Sequence, residues 1–259
     1  MTNTPTDPES ETLHRAHLDL TIEVDGRGWM HGPAVTVVPS VRTQALWPGE
    51  THILGIVWHY TDTRSVGAVN MAQRIAGQVA GGRAASWHIC IDRAGRIAQS
   101  VSMMRGSWHA GGASAARFGA DPKLVDGHRV WRLMSADHRQ LPGANSLFAG
   151  IELENVGEVR LVGGEWLGWP FKRGTQYGDP VVVPADEVLG PNNGAHHCYT
   201  SAQIAAAREV ASALASKYAL LRENCGWSHQ QIDPENRTDP GPLWMGGSAL
   251  PSILDTVWP

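Results

Sequence analysis

The chain has 259 residues, 42% of them hydrophobic, which is enough apolar material for one sizeable core or two small ones. Its formal charge is −4 and its Lys and Arg residues are scattered, so the basic footprint of a nucleic-acid binder is absent and neither DNA nor RNA is an expected partner. Three cysteines, Cys90, Cys198 and Cys225, are an odd number without CxxC spacing, which excludes a cysteine metal site and a disulfide framework.

Charged residues are sparse at 18%, whereas Gly (29), Pro (16) and Trp (11) are abundant, a composition that argues against a helical bundle and for long packed loops. Flat indole rings suit carbohydrate surfaces, although Trp is also an ordinary packing residue. The polar, acidic start MTNTPTDPESETLHR lacks the basic and apolar regions of a secretion signal, and no apolar run reaches 18 residues. Synthesis in the cytoplasm without a membrane span is therefore expected, with a monomer as the expected state.

In chain order, residues 1–15 have the composition of a disordered tail, and 16–259 are expected to form a single domain. Within 16–48, LDLTIEV and AVTVVPSV are broken by DGRG and HGP, a pattern of short strands forming an N-terminal extension. Residues 53–59, ILGIVWH, are a continuous apolar run of strand length, as in a central strand covered on both faces, and it ends on His59. The stretch GAVNMAQRIAGQVAGG has helical spacing, with Ser65 as a candidate cap and a Gly pair at its end.

ASWHICIDRAGRIAQSV predicts two strands around the turn Asp92–Gly95, and FAGIELENVG another strand. Two long Gly/Pro/Trp-rich segments follow, about 110–146 and an insertion at 156–198; loops of that length usually form functional walls or lids. YTSAQIAAAREVASALASKYALL predicts a helix capped by Thr200 or Ser201, with Ile204, Ala207, Val210, Ala211, Leu214 and Tyr218 on one face.

Three residues fit poorly in a purely structural account: His59 at a strand end, and His229 with Asp239 in SHQQIDPENRTDPGP. A catalytic zinc takes three ligands of these types, often from distant parts of the chain, and leaves one position open for water. Singly, each has a plainer explanation: a hydrogen-bonded histidine, or a turn-forming Asp before Pro. His196 and His197 do not fit one metal, because neighbours on an extended chain point in opposite directions.

In this order, VWHYTD (57–62), SWHICIDRAGRIAQ (86–99), SWHAGG (107–112), GIELEN (150–155), YTSAQ (199–203) and HQQIDPENRTDPGP (229–242) resemble the type-2 N-acetylmuramoyl-L-alanine amidase family. That family includes phage amidase lysozymes, recycling amidases and peptidoglycan recognition proteins. The resemblance implies an α/β (α+β) fold, a central mixed β-sheet flanked by helices, with zinc held by His59, His229 and Asp239 in a surface groove. It implies peptidoglycan or a muropeptide as substrate and hydrolysis of the amide between N-acetylmuramic acid and L-alanine.

By the same resemblance Glu152 is the catalytic acid/base, and Arg237 stands where many members have lysine. An arginine there stabilises an oxyanion but is a poor proton donor. Trp108 and His109 match a loop that touches substrate, and Trp87 is taken with them as a substrate contact; His88 is read as core. Glu152 and Glu154 share a strand face and are otherwise two outward-facing glutamates.

A phage endolysin, a cytoplasmic anhydro-muropeptide recycling amidase and a non-catalytic peptidoglycan binder all fit this core. The retained ligands and glutamate favour an enzyme, and the lone catalytic unit without a wall-anchoring repeat favours the endolysin. A Ser or Cys nucleophile is disfavoured, since there is no GxSxG elbow and no cysteine in a nucleophile motif.

Overall fold

The computed structural model describes residues 21–76, 85–111, 142–176, 178–190, 194–235, 237–245 and 252–257, together with four short strands between 117 and 134. The tail expected at 1–15 lies outside the described residues.

Six strands form the main sheet in the order Trp227–Ser228, Ile56–Tyr60, Ala149–Leu153, Ile89–Ile91, Ile97–Gln99 and Val35–Val37. Neighbours run parallel except for the hairpin of Ile89–Ile91 with Ile97–Gln99, so the sheet is mixed, as expected. The apolar run at 53–59 yields the strand Ile56–Tyr60, second in this order and buried from Ile56 to His59. Asp92 makes the hairpin turn, its carboxylate accepting from the backbone of Ala94 and Arg96.

Strand alternation divides the sheet's side chains between two different jobs. Trp58, Ile89, Ile91, Ile151 and Leu153 point to one side, where the helix Ser201–Tyr218 covers them through Ala206, Ala207, Val210, Ala211 and Leu214. Thr200 caps that helix by accepting from Gln203 N. The intervening residues, Val57, His59, Cys90 and Glu152, point to the other side, which the helix Ala68–Ala76 covers only around Cys90 and Ala98. Val57 is packed under Ala144, Leu147, Phe148 and Ile232, so His59 and Glu152 lie between two apolar patches.

The Ala68–Ala76 helix departs from expectation at its start. Ser65 has φ 60° and is no cap. The carboxylate of Glu154 instead accepts from the backbone N–H of Val66 and Gly67, and that of Asp92 from Ala68. Anionic acceptors at a helix N-terminus satisfy orphan donors and the helix dipole together. Glu154 is thus buried and structural rather than outward-facing.

At the N-terminal side, Glu23–Val24 pairs with Met30–His31, and Val35–Val37 extends the main sheet. Gln99 locks this extension: its side chain accepts from Met30 N (2.6 Å) and donates to Gly28 O (2.8 Å).

The segment 156–198, expected as a loop, carries a second antiparallel sheet of five strands, with Glu165–Gly168, Glu158–Val162 and Ala195–His197 at its centre. Gly163 and Gly164, both at positive φ, make the two-residue hairpin turn that such a ribbon requires. The strands are short and sit between Gly and Pro punctuation, which hides their alternation in the sequence. Glu187 fastens this sheet to the main body: its carboxylate takes both arms of Arg64 (2.7 and 3.1 Å), Arg93 Nη2 (2.8 Å) and His197 Nε2 (2.9 Å). The bonds from Arg64 outweigh burial and hold the Glu187 carboxyl down near 2. In 110–146, Arg117–Phe118 pairs with Leu133–Met134, and Lys123–Val125 with His128–Val130. Among the described residues, no helix is long and apolar enough to cross a membrane.

Candidate metal centre and active site

Sheet register carries two of the candidate ligands together. Trp227 pairs with Val57 and Ser228 with Trp58, so the next residue, His229, arrives beside His59. A capping box then turns the chain: Ser228 accepts from Gln231 N, and the Gln231 side chain accepts from Ser228 N, which starts the short helix His229–Ile232. The following loop returns Asp239, whose carbonyl accepts from Gln230 N (3.0 Å).

His59, His229 and Asp239, 170 and 180 positions apart at the extremes, converge on one point. His59 Nδ1 lies 3.0 Å from His229 Nδ1, and each of these nitrogens lies 3.1 Å from Asp239 Oδ2. Three corners of a tetrahedron with metal–ligand bonds of about 2.0–2.1 Å are spaced roughly 3.3 Å apart, so the observed triangle fits a zinc-sized ion to within a few tenths of an ångström. All three side chains are buried, and two imidazoles and one carboxylate are a donor set suited to zinc.

The electrostatics favour the unprotonated forms of His59 and Asp239. Burial, reinforced by the neighbouring His229, lowers the His59 pKa to about 4. For Asp239 burial acts the other way, but the imidazoles of His229 and His59, each 3.1 Å from its Oδ2, outweigh it and hold the carboxyl below its usual range. Metal binding needs neutral imidazole and ionised carboxylate, the states that these shifts favour for His59 and Asp239.

Glu152 is paired with His59 in the adjacent parallel strand and lines the same cavity. Burial first, and then the negative fields of Asp239 and Asp62, raise its pKa well above that of an ordinary glutamate. Arg237, two residues before Asp239, is exposed at the cavity wall.

His109 borders the same cavity, although little of it is exposed. Its imidazole is buried, with Nδ1 2.9 Å from His59 Nε2 and Nε2 3.1 Å from the Phe148 carbonyl. Trp108 beside it is 45% exposed and stands at the rim of the cavity. Trp87 presents an edge to the cavity but is otherwise buried with Ala68, Met71 and Ala72. His88 is buried, as expected, bonded to Arg105 O and Ser107 Oγ. His197 is committed to Glu187, which removes it from any metal.

The metal cavity measures about 220 Å³ and adjoins a second of about 490 Å³; both are bordered by Tyr60, Asp62, Arg237 and Asp239. Together they make a groove running from Trp108 past the ligands to Trp169 and Phe171. Trp169, 50% exposed, and Phe171 come from the inserted sheet and escaped the sequence reading, as did Tyr60 and Asp62. Tyr60 and Asp62 could have been found from their place in VWHYTD. The GWPF segment carried no signal beyond its aromatic content.

The family model described as N-acetylmuramoyl-L-alanine amidase matches residues 49–242, more than half of the chain. No curated protein sequence matches. Among solved structures, a selenomethionine derivative of AmpD is similar at 19% identity and a TM-score of 0.51, over 91% of this chain and 99% of that one. The amidase AmiD from E. coli, in complex with anhydro-N-acetylmuramic acid-L-Ala-D-gamma-Glu-L-Lys, matches at 23% identity and a TM-score of 0.45, over 86% and 62% of the two chains. The endolysin amidase LysCS from Clostridium intestinale URNW matches at 14% identity and 0.41, over 82% and 89%. The likeness to AmpD concerns the fold alone, whereas the family match concerns the sequence itself. On that match, the chain belongs to the N-acetylmuramoyl-L-alanine amidase family and is an enzyme of the amidase class.

Proposed function

We propose that this chain hydrolyses the amide between N-acetylmuramic acid and L-alanine in peptidoglycan, using zinc held by His59, His229 and Asp239. The convergence of those three donors to 3.0–3.1 Å is the observation that carries the reading. Zinc bound there would supply a Lewis acid that polarises the scissile carbonyl, lowers the pKa of water toward about 7, and provides a positive field against which Glu152 ionises.

Glu152 takes the proton of the attacking water and delivers it to the departing L-alanine nitrogen, a role that requires a carboxylate on the same sheet face as the ligands. Burial and the fields of Asp239 and Asp62 raise its pKa, which strengthens it as a base for that proton. Arg237 directs its guanidinium at the oxyanion that forms on the carbonyl. Trp108 on one side of the metal cavity, and Trp169 with Phe171 on the other, offer stacking surfaces for the sugar and the stem peptide. Trp87 contributes its ring edge to the same wall.

A groove flanked on both sides suits a polymeric wall more than a small detached fragment, which favours the endolysin role over recycling. Mass spectrometry of digested sacculi tests the reaction. Stem peptides released with a free L-alanine amine, and glycan strands left intact, are the expected products; intact sacculi in the presence of zinc would leave only a binding role.

A further inference from the structure

The metal triangle is supported from behind by a hydrogen-bonded line that starts at a backbone carbonyl. The Phe148 carbonyl can only accept, so the His109 nitrogen 3.1 Å from it, Nε2, carries a proton. The neutral His109 ring then has an unprotonated Nδ1, which lies 2.9 Å from His59 Nε2 and must accept from it. With its proton on Nε2, a neutral His59 has a bare lone pair at Nδ1, the atom that faces His229 and Asp239; the Asp239 carboxylate, 3.1 Å away and able only to accept, pulls toward the opposite tautomer, and the His109 relay opposes that pull until a cation lies between them. No such constraint acts on the other imidazole: His229 Nε2 is buried and has no hydrogen-bond partner among the described residues.

The backbone that carries the His109 ring is itself fixed. The Asn145 side-chain oxygen accepts from the backbone N–H of His109 (2.9 Å) and of Ala110 (2.7 Å), and Asn145 Nδ2 donates to Gly111 O (3.0 Å). Gly150 supplies the space, because a Cβ there would fall 2.4 Å from His109 Cγ. Gly150 and Glu152 are two apart on one strand, so the residue that admits His109 and the proposed proton carrier share a face.

We propose that His109 is a positioning residue for the metal: relayed from the Phe148 carbonyl, it locks His59 in the tautomer whose Nδ1 is ready to ligate. The role rests on the metal reading above, but it makes His109 a buried support for a ligand rather than a contact for substrate. A metal-bound imidazole usually donates its second N–H to a carboxylate, carbonyl or water. Here a second imidazole takes that proton and passes the constraint to the backbone.

Two measurements test it. In metal-free wild-type protein, two-bond nitrogen–proton correlation spectra should show His59 with a protonated Nε2 and an unprotonated Nδ1; the opposite tautomer overturns the proposal without any variant being made. Zinc affinity, measured by competition with a chromophoric chelator, should fall about 10- to 100-fold in His109→Leu, which keeps bulk and removes the acceptor. His109→Asn places its side-chain oxygen close to the position of Nδ1 and should stay within about threefold of wild type, whereas a merely structural defect would not be rescued this way. Undiminished affinity in a folded His109→Leu protein overturns this role alone; a wild-type protein that takes up no zinc overturns the metal reading and this role with it.

Discussion

Glu152 lies directly across from His59 on the neighbouring parallel strand, so the two side chains leave the same face of the sheet one strand spacing apart. That register brings a carboxylate to the metal-ligand triangle without using a loop. A rigid element on each side of the site fixes its geometry more tightly than loops would.

If Glu152 moves the proton, Glu152→Gln should lower kcat by about 10²- to 10⁴-fold while the zinc content stays near one per chain. Single-turnover digestion of purified sacculi with parallel metal analysis separates the two effects. A Gln variant with wild-type kcat would remove Glu152 from the chemistry.

Arg237 is assigned to oxyanion stabilisation alone, so its loss should act on turnover and leave metal binding intact. Arg237→Ala is expected to lower kcat/KM by roughly 10²- to 10³-fold, with Arg237→Lys recovering part of it, since a charge remains but the planar fork is lost. An equal loss in both variants would show that the guanidinium's geometry matters more than its charge.

Trp169 and Phe171 reach the groove from the inserted sheet and lie away from the ligand triangle. Replacing either with Ala should raise KM several-fold with kcat little changed, the pattern expected when binding is lost equally in ground and transition states. Wall-binding isotherms with an inactive Glu152→Gln background provide the independent check. Unaltered binding in the doubly substituted protein would remove the inserted sheet from substrate recognition.

Acid should destabilise the metal-free protein in a defined window. Burial holds His88 near 4, and burial, partly offset by the Glu187 bond, does the same for His197; both lie below the ordinary 6.5. Between those values the unfolded chain binds protons that the folded chain refuses, so stability falls as pH drops from about 6.5 to about 4. Each imidazole contributes on the order of 3 kcal/mol at most across that range. Glu187, depressed from 4.5 to about 2, extends the loss at still lower pH. Thermal melts at pH 7.5, 6 and 5 should show a falling Tm with a shallower slope in His88→Gln; a flat Tm would contradict the buried neutral imidazoles.

The convergence of His59, His229 and Asp239 was legible in the chain because it is carried by residue type and order. His59 ends an apolar run, and His229 precedes Asp239 by ten positions in a Pro-rich turn; both are local patterns, as are the strand at Ile56–Tyr60 and the helix begun by Thr200. Period-two alternation also put Glu152 and Glu154 on one face, but it could not tell their roles apart. Only tertiary contacts separate them: Glu154 is consumed by the backbone of Val66 and Gly67, and Glu152 lines the cavity with His59, His229 and Asp239.

Tertiary structure alone decided what lies far apart in sequence and near in space. The inserted sheet could not be read from 156–198, because its strands are two to five residues long and gain stability only from each other and from the Glu187 clamp. Ser65 looked like a cap because capping chemistry is local, yet two distant carboxylates took the orphan N–H groups first. His109 could be read from the sequence as a substrate contact or as a loop residue bonded to backbone; its bond to the Phe148 carbonyl and its place beside His59 depend on Gly150 and Asn145, neither of which carries a sequence signal for that purpose. Sequence determines which groups are present and their local periodicity; which donor meets which acceptor is set by packing, since hydrogen bonds and metal geometry depend on distances that only the folded chain defines.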